Sequence, residues 1–206
     1  MANWFHILLG GTRARLLELL RRTRRTTPEL ADAVGVSDNA VRTHIAAMQR
    51  DGLVEPAGVR RDTGGKPAQL YDVSREAEEL FPKAYAPVLS ALLSEIEARA
   101  GRDALLELLR SVGAAVAPAS PGGSAADRVE AAAATLEALG GSVEVERIDR
   151  EWRLHGAGCP LSAVVEDHAE TCALVEALVA HIVGLPVREH CDRAGRPRCA
   201  FVVAER

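Results

Sequence analysis

Apolar residues first fall into helical spacing after Gly11-Thr12, at Leu16, Leu17, Leu19 and Leu20, and this run ends in the arginine-rich stretch 21–25. Thr27-Pro28-Glu29-Leu30 then opens a second helix, with Thr27 as N-cap and Pro28 at its first position. That helix carries Leu30, Ala31, Ala33 and Val34 and stops at Gly35. After a short turn, Ser37 caps a third helix from Asp38 to about Asp51. Val41, Ile45 and Met48 form its inward stripe at i, i+4, i+7. Asn39, Arg42, Thr43, Ala46 and Arg50 fall on its outer face. Gly52 ends it. Two short strand-like runs, 53–56 and 69–73, then flank a tip that holds Arg60, Arg61, Gly64, Gly65 and Lys66. The predicted order is helix, helix, turn, helix, basic hairpin.

Residues 75–117 are almost entirely helix-forming. Leu80, Val88, Leu89, Leu92, Leu93 and Ile96 repeat up to Arg99, Gly101 interrupts, and Ala104 to Leu109 resume the pattern. Pro82 and Pro87 break or kink the first part. A Pro/Gly/Ser stretch at 117–124 reads as a linker. Beyond it the pattern predicts an alanine-rich helix to Leu139, a half-exposed strand at 142–147 and its hairpin partner at 152–155. A helical stretch follows from Cys159-Pro160 to Val183, with a break near His168, and then two strands around the turn 192–198. The fold class is α+β. Residues 1–74 form a winged helix-turn-helix, 75–124 a helical dimerisation connector and linker, and 125–206 a small α/β sensor domain of order α-β-β-α-β-β.

Composition supports packed cores, since 48% of the 206 residues are apolar; aromatics are only 3%, so those cores are built from Leu, Val and Ala. Charge is uneven. Residues 1–74 carry 11 Lys/Arg against 8 Asp/Glu, leaving the rest of the chain net acidic within an overall −4. A mildly basic front and an acidic rear suit different partners. No basic n-region precedes the apolar start, and no apolar run reaches the length of a spanning helix, so a cytoplasmic protein without a membrane partner is expected.

The outer face of the third helix has what a major-groove reader needs. Arg bonds bidentately to guanine, Asn to adenine, and the methyls of Thr and Ala touch thymine. The expected DNA-binding set is Ser37, Asn39, Ala40, Arg42 and Thr43, with Arg60, Arg61 and Lys66 of the hairpin laid along phosphates of double-stranded operator DNA. One such module reads half of a two-fold operator, so the apolar helices beside it are natural homodimer material. In LLELLRR, TPELADAVGVSDNAVRTHIAAMQRDGLVEP and VRRDTGGKPAQLYDVS the chain resembles the ArsR- and DeoR-like winged-helix regulators over roughly residues 8–74.

All four cysteines, Cys159, Cys172, Cys191 and Cys199, lie in the last 48 residues. In a reducing cytosol such clustering points to metal or redox chemistry rather than structural disulfides. The gaps of twelve, eighteen and seven residues contain no CxxC pair, which weakens a zinc ribbon. An iron–sulfur site, a less usual zinc site and four structural cysteines stay open. Cys159, at a strand end and a helix start, is placed where a helix N-terminus favours a thiolate. His155, His168 and His190 are alternative nitrogen ligands.

Cys159-x12-Cys172, followed by a further cysteine after 26 residues, is similar to the cysteine pattern of the SUF-operon repressors, winged-helix regulators of iron–sulfur cluster assembly. The resemblance implies a homodimer with a 4Fe–4S cluster held by C-terminal cysteines in each subunit. It implies a repressor whose operator affinity follows the cluster. Cys191 departs from the family spacing, which leaves the fourth ligand open between it and a non-cysteine group. Two other readings stand beside this one. The first is a metal-free regulator with a small apolar effector between helix and sheet. The second is a regulator with a zinc site. No phosphate loop, nucleophile elbow or HExxH is present, so an enzyme is not expected.

Overall fold

The computed structural model describes residues 4–61 and 67–205, the side chains of Trp4, Phe5 and Leu8 apart. Two compact units divide between Lys83 and Ala84.

The first unit contains α1 (Trp4–Leu9), α2 (Gly11–Arg22), α3 (Thr27–Val34), α4 (Asp38–Arg50), β1 (Val54–Arg60), β2 (Ala68–Val73) and α5 (Arg75–Glu79). The N-cap of α3 is Thr26, one residue earlier than the sequence pattern placed it. Thr26 N–H donates to Glu29 Oε2 at 2.8 Å, and Glu29 N–H donates back to Thr26 Oγ1 at 3.5 Å. This reciprocal box needs a spacing of three residues to the glutamate, which Thr26 has and Thr27 lacks. Gly35 takes the left-handed conformation (φ 76°) that ends α3, and Ser37 caps α4 by accepting Ala40 N–H at 3.2 Å. The stripe Val41, Ile45 and Met48 is buried with Leu16, Leu17, Leu20, Leu30 and Phe81 in one core. β1 and β2 pair antiparallel, with an irregularity between Pro56 and Val59. Arg25 adds a short third edge by exchanging both backbone hydrogen bonds with Tyr71. Lys66 and the Gly64-Gly65 tip lie outside the described residues.

The second unit contains α6 (Tyr85–Ala100), α7 (Arg102–Val116), α8 (Ala125–Ala138), β3 (Val143–Ile148), β4 (Glu151–Gly156), α9 (Ser162–Val165), a single 3-10 turn (Ala169–Thr171), α10 (Cys172–Val183), β5 (Val187–Glu189) and β6 (Ala200–Ala204). The helices read from the sequence as a connector, α6 and α7, fall in this unit. The strands form one antiparallel sheet of order β3-β4-β6-β5. Leu154, Phe201 and Val203 on one face meet Val129, Ala132 and Leu136 of α8 and Val175, Leu178, Val179 and Ile182 of α10. α7 packs closely on α10 at Gly113, where a Cβ would come within 2.1 Å of the Leu174 carbonyl oxygen. Only a residue without a side chain allows that approach.

The helical stretch from Cys159 is broken at His168, where the sequence pattern expected it. α9 is a single turn, His168 leaves helical geometry (φ −132°, ψ 75°), and a long helix begins only at Cys172. The thiol at the head of a full helix is therefore that of Cys172, and Cys159 precedes a helix of one turn.

Candidate functional site

In the first unit the outer face of α4 is built as the sequence pattern requires: Asn39, Arg42, Thr43, Ala46 and Arg50 are exposed, and Ser37 and Ala40 stand at its N-terminal end. The Arg42 guanidinium, itself exposed, is held one turn back by Asp38 (Nε–Oδ2 2.7 Å). Arg61 is exposed. Arg60 is half-buried and donates to the Glu29 carboxylate, so part of its charge is spent inside the unit. Glu29 is held below the usual carboxylate range, first by the Thr26 backbone N–H and then by Arg60.

In the second unit all four cysteines, free of disulfides, line one tight pocket, too narrow to hold a water molecule, with Val165, Val175 and Phe201. Three segments bring them there. Cys159 follows β4 and its carbonyl accepts Ser162 N–H at the start of α9 (3.0 Å). Cys172 is the first residue of α10. Cys191 and Cys199 flank a hairpin clasped by Asp192 and Arg198, which exchange backbone hydrogen bonds of 3.0 and 2.8 Å. Gly156 makes room for this hairpin: its N–H donates to the Cys199 carbonyl at 2.7 Å, and a Cβ there would meet the Cys199 Cβ at 3.3 Å.

The thiols are linked in the order Cys159, Cys199, Cys191, Cys172. Cys199 donates to Cys159, whose pKa is lowered to about 7 chiefly by that bond. Cys191 is pushed far down, first by Cys172 and then by Cys199. The two donors move the other way. Cys172 is raised by its bond to Cys191 and by burial, and Cys199 by Cys159, Cys191 and burial. Four sulfurs in a largely apolar pocket, two of them held toward the thiolate form by their neighbours, make a soft donor set suited to a thiophilic metal.

Sequence reasoning missed Glu189 and Arg193. Among the described residues, the one group of three such donor atoms lying within 4.8 Å of one another is Cys172, Glu189 and Cys191. Arg193 bonds Glu189 Oε1 at 2.7 Å and reaches Cys172. The period of two along 189, 191 and 193 was the available signal, since alternate residues of an extended segment share a face. Of the histidines, His155 is exposed on β4 and His190 is exposed just past the end of β5. His168 is buried, and its ring faces Ser90 and Ser94 of α6 at 3.0 and 3.4 Å. No described helix is long and apolar enough to cross a membrane.

Residues 8–57 match the family model described as a helix-turn-helix domain. Comparison of the whole chain with curated proteins finds no match. Among solved structures, the chain is similar to the homodimeric winged helix-turn-helix DNA-binding domain of Mb0332 from Mycobacterium bovis, described as a possible ArsR-family transcriptional regulator. That likeness has 24% identity and TM-score 0.30, over 46% of this chain and 80% of that one. It is also similar to a double mutant of Lactococcus lactis ZitR in apo form, at 21% identity and TM-score 0.29, over 45% of this chain and 84% of that one. From the match over residues 8–57 and the order and caps of α2, α3, α4 and the β1–β2 hairpin, the first unit is a winged helix-turn-helix domain.

Proposed function

We propose that this protein is a dimeric DNA-binding transcriptional regulator whose second unit senses redox state or iron supply through an iron–sulfur cluster on Cys159, Cys172, Cys191 and Cys199. The carrying observation is the meeting of all four thiols in one pocket from three separate segments. The metal-ligating side chains that line the pocket are four cysteines and no histidine, and four thiolates are the usual ligand set of an iron–sulfur cluster. Bound there, a cluster supplies a redox-sensitive cross-link between the Cys159 loop, the head of α10 and the last hairpin.

The chain's own residues supply the rest. α4 offers Asn39, Arg42 and Thr43 to base edges, and Arg61 to phosphate. Dimerisation is supported by α6, where Tyr85, Val88, Leu89 and Leu92 are exposed at i, i+3, i+4 and i+7, Val88 by 56% and Leu92 by 54%. A contiguous apolar stripe of this kind on a helix marks a protein contact. The acidic rear keeps nucleic acid to the front module.

The test is anaerobic purification with iron and sulfide analysis and a visible spectrum, repeated with each cysteine changed to serine. Brown protein whose iron and absorbance fall in the serine variants supports the reading. Colourless protein without iron and sulfide removes it. The group Cys172, Glu189 and Cys191 favours a second reading, a single zinc ion with an oxygen ligand. Colourless protein holding about one zinc per chain, lost in Glu189→Ala, would select it.

A further inference from the structure

The thiol pocket and the exposed stripe of α6 belong to one unit, and a short chain of hydrogen bonds joins them. α6 is weakly anchored. Of its sixteen residues only Leu93 is buried, in a small cluster with Leu105 and Leu109. Its polar anchor is His168, 5% exposed, whose Nε2 lies 3.0 Å from Ser90 Oγ and 3.4 Å from Ser94 Oγ. On its other side the His168 carbonyl accepts Thr171 Oγ1 at 2.7 Å and Thr171 N–H at 3.1 Å. Thr171 is buried, lines the thiol pocket and immediately precedes Cys172. His168 N–H donates to the Val164 carbonyl at 2.9 Å, and the adjacent Val165 also lines the pocket. The break in the helical path at His168 is what turns the imidazole toward α6 and lets α10 begin at Cys172.

We propose that His168 is the positioning residue that transmits the state of the thiol site to α6. A shift of the Cys172 end of α10 moves Thr171, which moves the His168 carbonyl and ring. The ring in turn holds or releases Ser90 and Ser94. A buried hydrogen-bonded group suits this task because it has discrete bonded and unbonded states, and leaving it unpaired carries a desolvation cost. Two sites are coupled only if each biases the same two-state element, and here that element is the docking of α6. The inference rests on the cluster reading above and adds a route and a residue to it.

The experiment is amide hydrogen exchange over residues 85–97 in the full-length protein, loaded with iron and sulfide or stripped by chelator. In the wild type, exchange of this segment is expected to rise on the order of tenfold after stripping. In His168→Leu the iron, sulfide and spectrum should persist while the difference between loaded and stripped forms disappears. His168→Gln, which restores a side-chain amide at the position of Nε2, should recover it. Ser90→Ala with Ser94→Ala, changing only partly exposed α6 positions, should repeat the His168→Leu result if that variant folds poorly. An undiminished difference in the double serine variant or in His168→Leu overturns the coupling role. So does a wild type that binds the cluster without any change over 85–97. A wild type that takes up no iron and sulfide overturns the cluster reading, and the coupling with it.

Discussion

Gly113→Ala sets two physical effects against each other. Gly113 lies inside α7, where glycine costs about 1 kcal/mol relative to alanine on intrinsic helix preference. Preference alone therefore expects the alanine variant to be more stable. The packing reverses the sign. An added Cβ would stand 2.1 Å from the Leu174 carbonyl oxygen and 3.1 Å from the Ala177 Cβ, where ordinary contact begins at 3.4 Å. The obstacle is helix backbone, so no side chain can swing away, and α7 and α10 must part by about 1 Å. Overpacking of this kind costs about 1–3 kcal/mol. Parting also strips contact from Leu105 and Leu109, which pack with Leu174. The net expectation is a loss of up to about 2 kcal/mol, or up to about 8 °C in Tm. Thermal unfolding followed by circular dichroism on the metal-free protein reads it, with Ala114→Gly as a control for helix preference alone. A rise in Tm for Gly113→Ala would refute the close approach of α7 and α10. Because Leu174 is two residues from Cys172, the same variant should also weaken metal retention, measured by release to a chelator.

Other outcomes follow from the same contacts. Thr26→Ala removes the reciprocal cap of α3 and should destabilise the first unit by about 1 kcal/mol, read by denaturant titration. The folded pKa of Glu29 lies below its unfolded value. Its contribution is therefore complete above roughly pH 4.3 and is lost as pH falls through the folded pKa, so Glu29→Gln should flatten that part of the acid unfolding curve. Leu92→Glu places a charge in the exposed stripe of α6 and should convert a dimer to monomer in sedimentation without changing the circular dichroism spectrum. On a duplex selected by the protein itself, Arg42→Ala should cost about 1–3 kcal/mol of binding and relax base choice, whereas Arg61→Ala should weaken all sequences alike and lower the salt slope by about 1.

By itself the sequence determined what is local. The stripe Val41, Ile45 and Met48, the turn at Gly35, the cap at Ser37 and the paired strands around the hairpin were legible, because helix periodicity, left-handed glycine and capping are set within a few residues. The one-residue error at Thr26 arose within that same range, and its signal, a glutamate three residues on, was present. The rear strands and the hairpin that sets Cys191 beside Cys199 were legible on the same grounds. Tertiary structure alone decided which thiols meet, that Cys172 and not Cys159 heads a full helix, and that Glu189 and Arg193 stand at the thiol site. It also decided that the His168 ring meets Ser90, 78 residues earlier in the chain. The physical reason is the same in each case. These contacts exist only because α8, α10 and the sheet pack around a shared core and α7 lies close on α10, down to the missing side chain at Gly113, and burial among distant segments leaves no period along the chain.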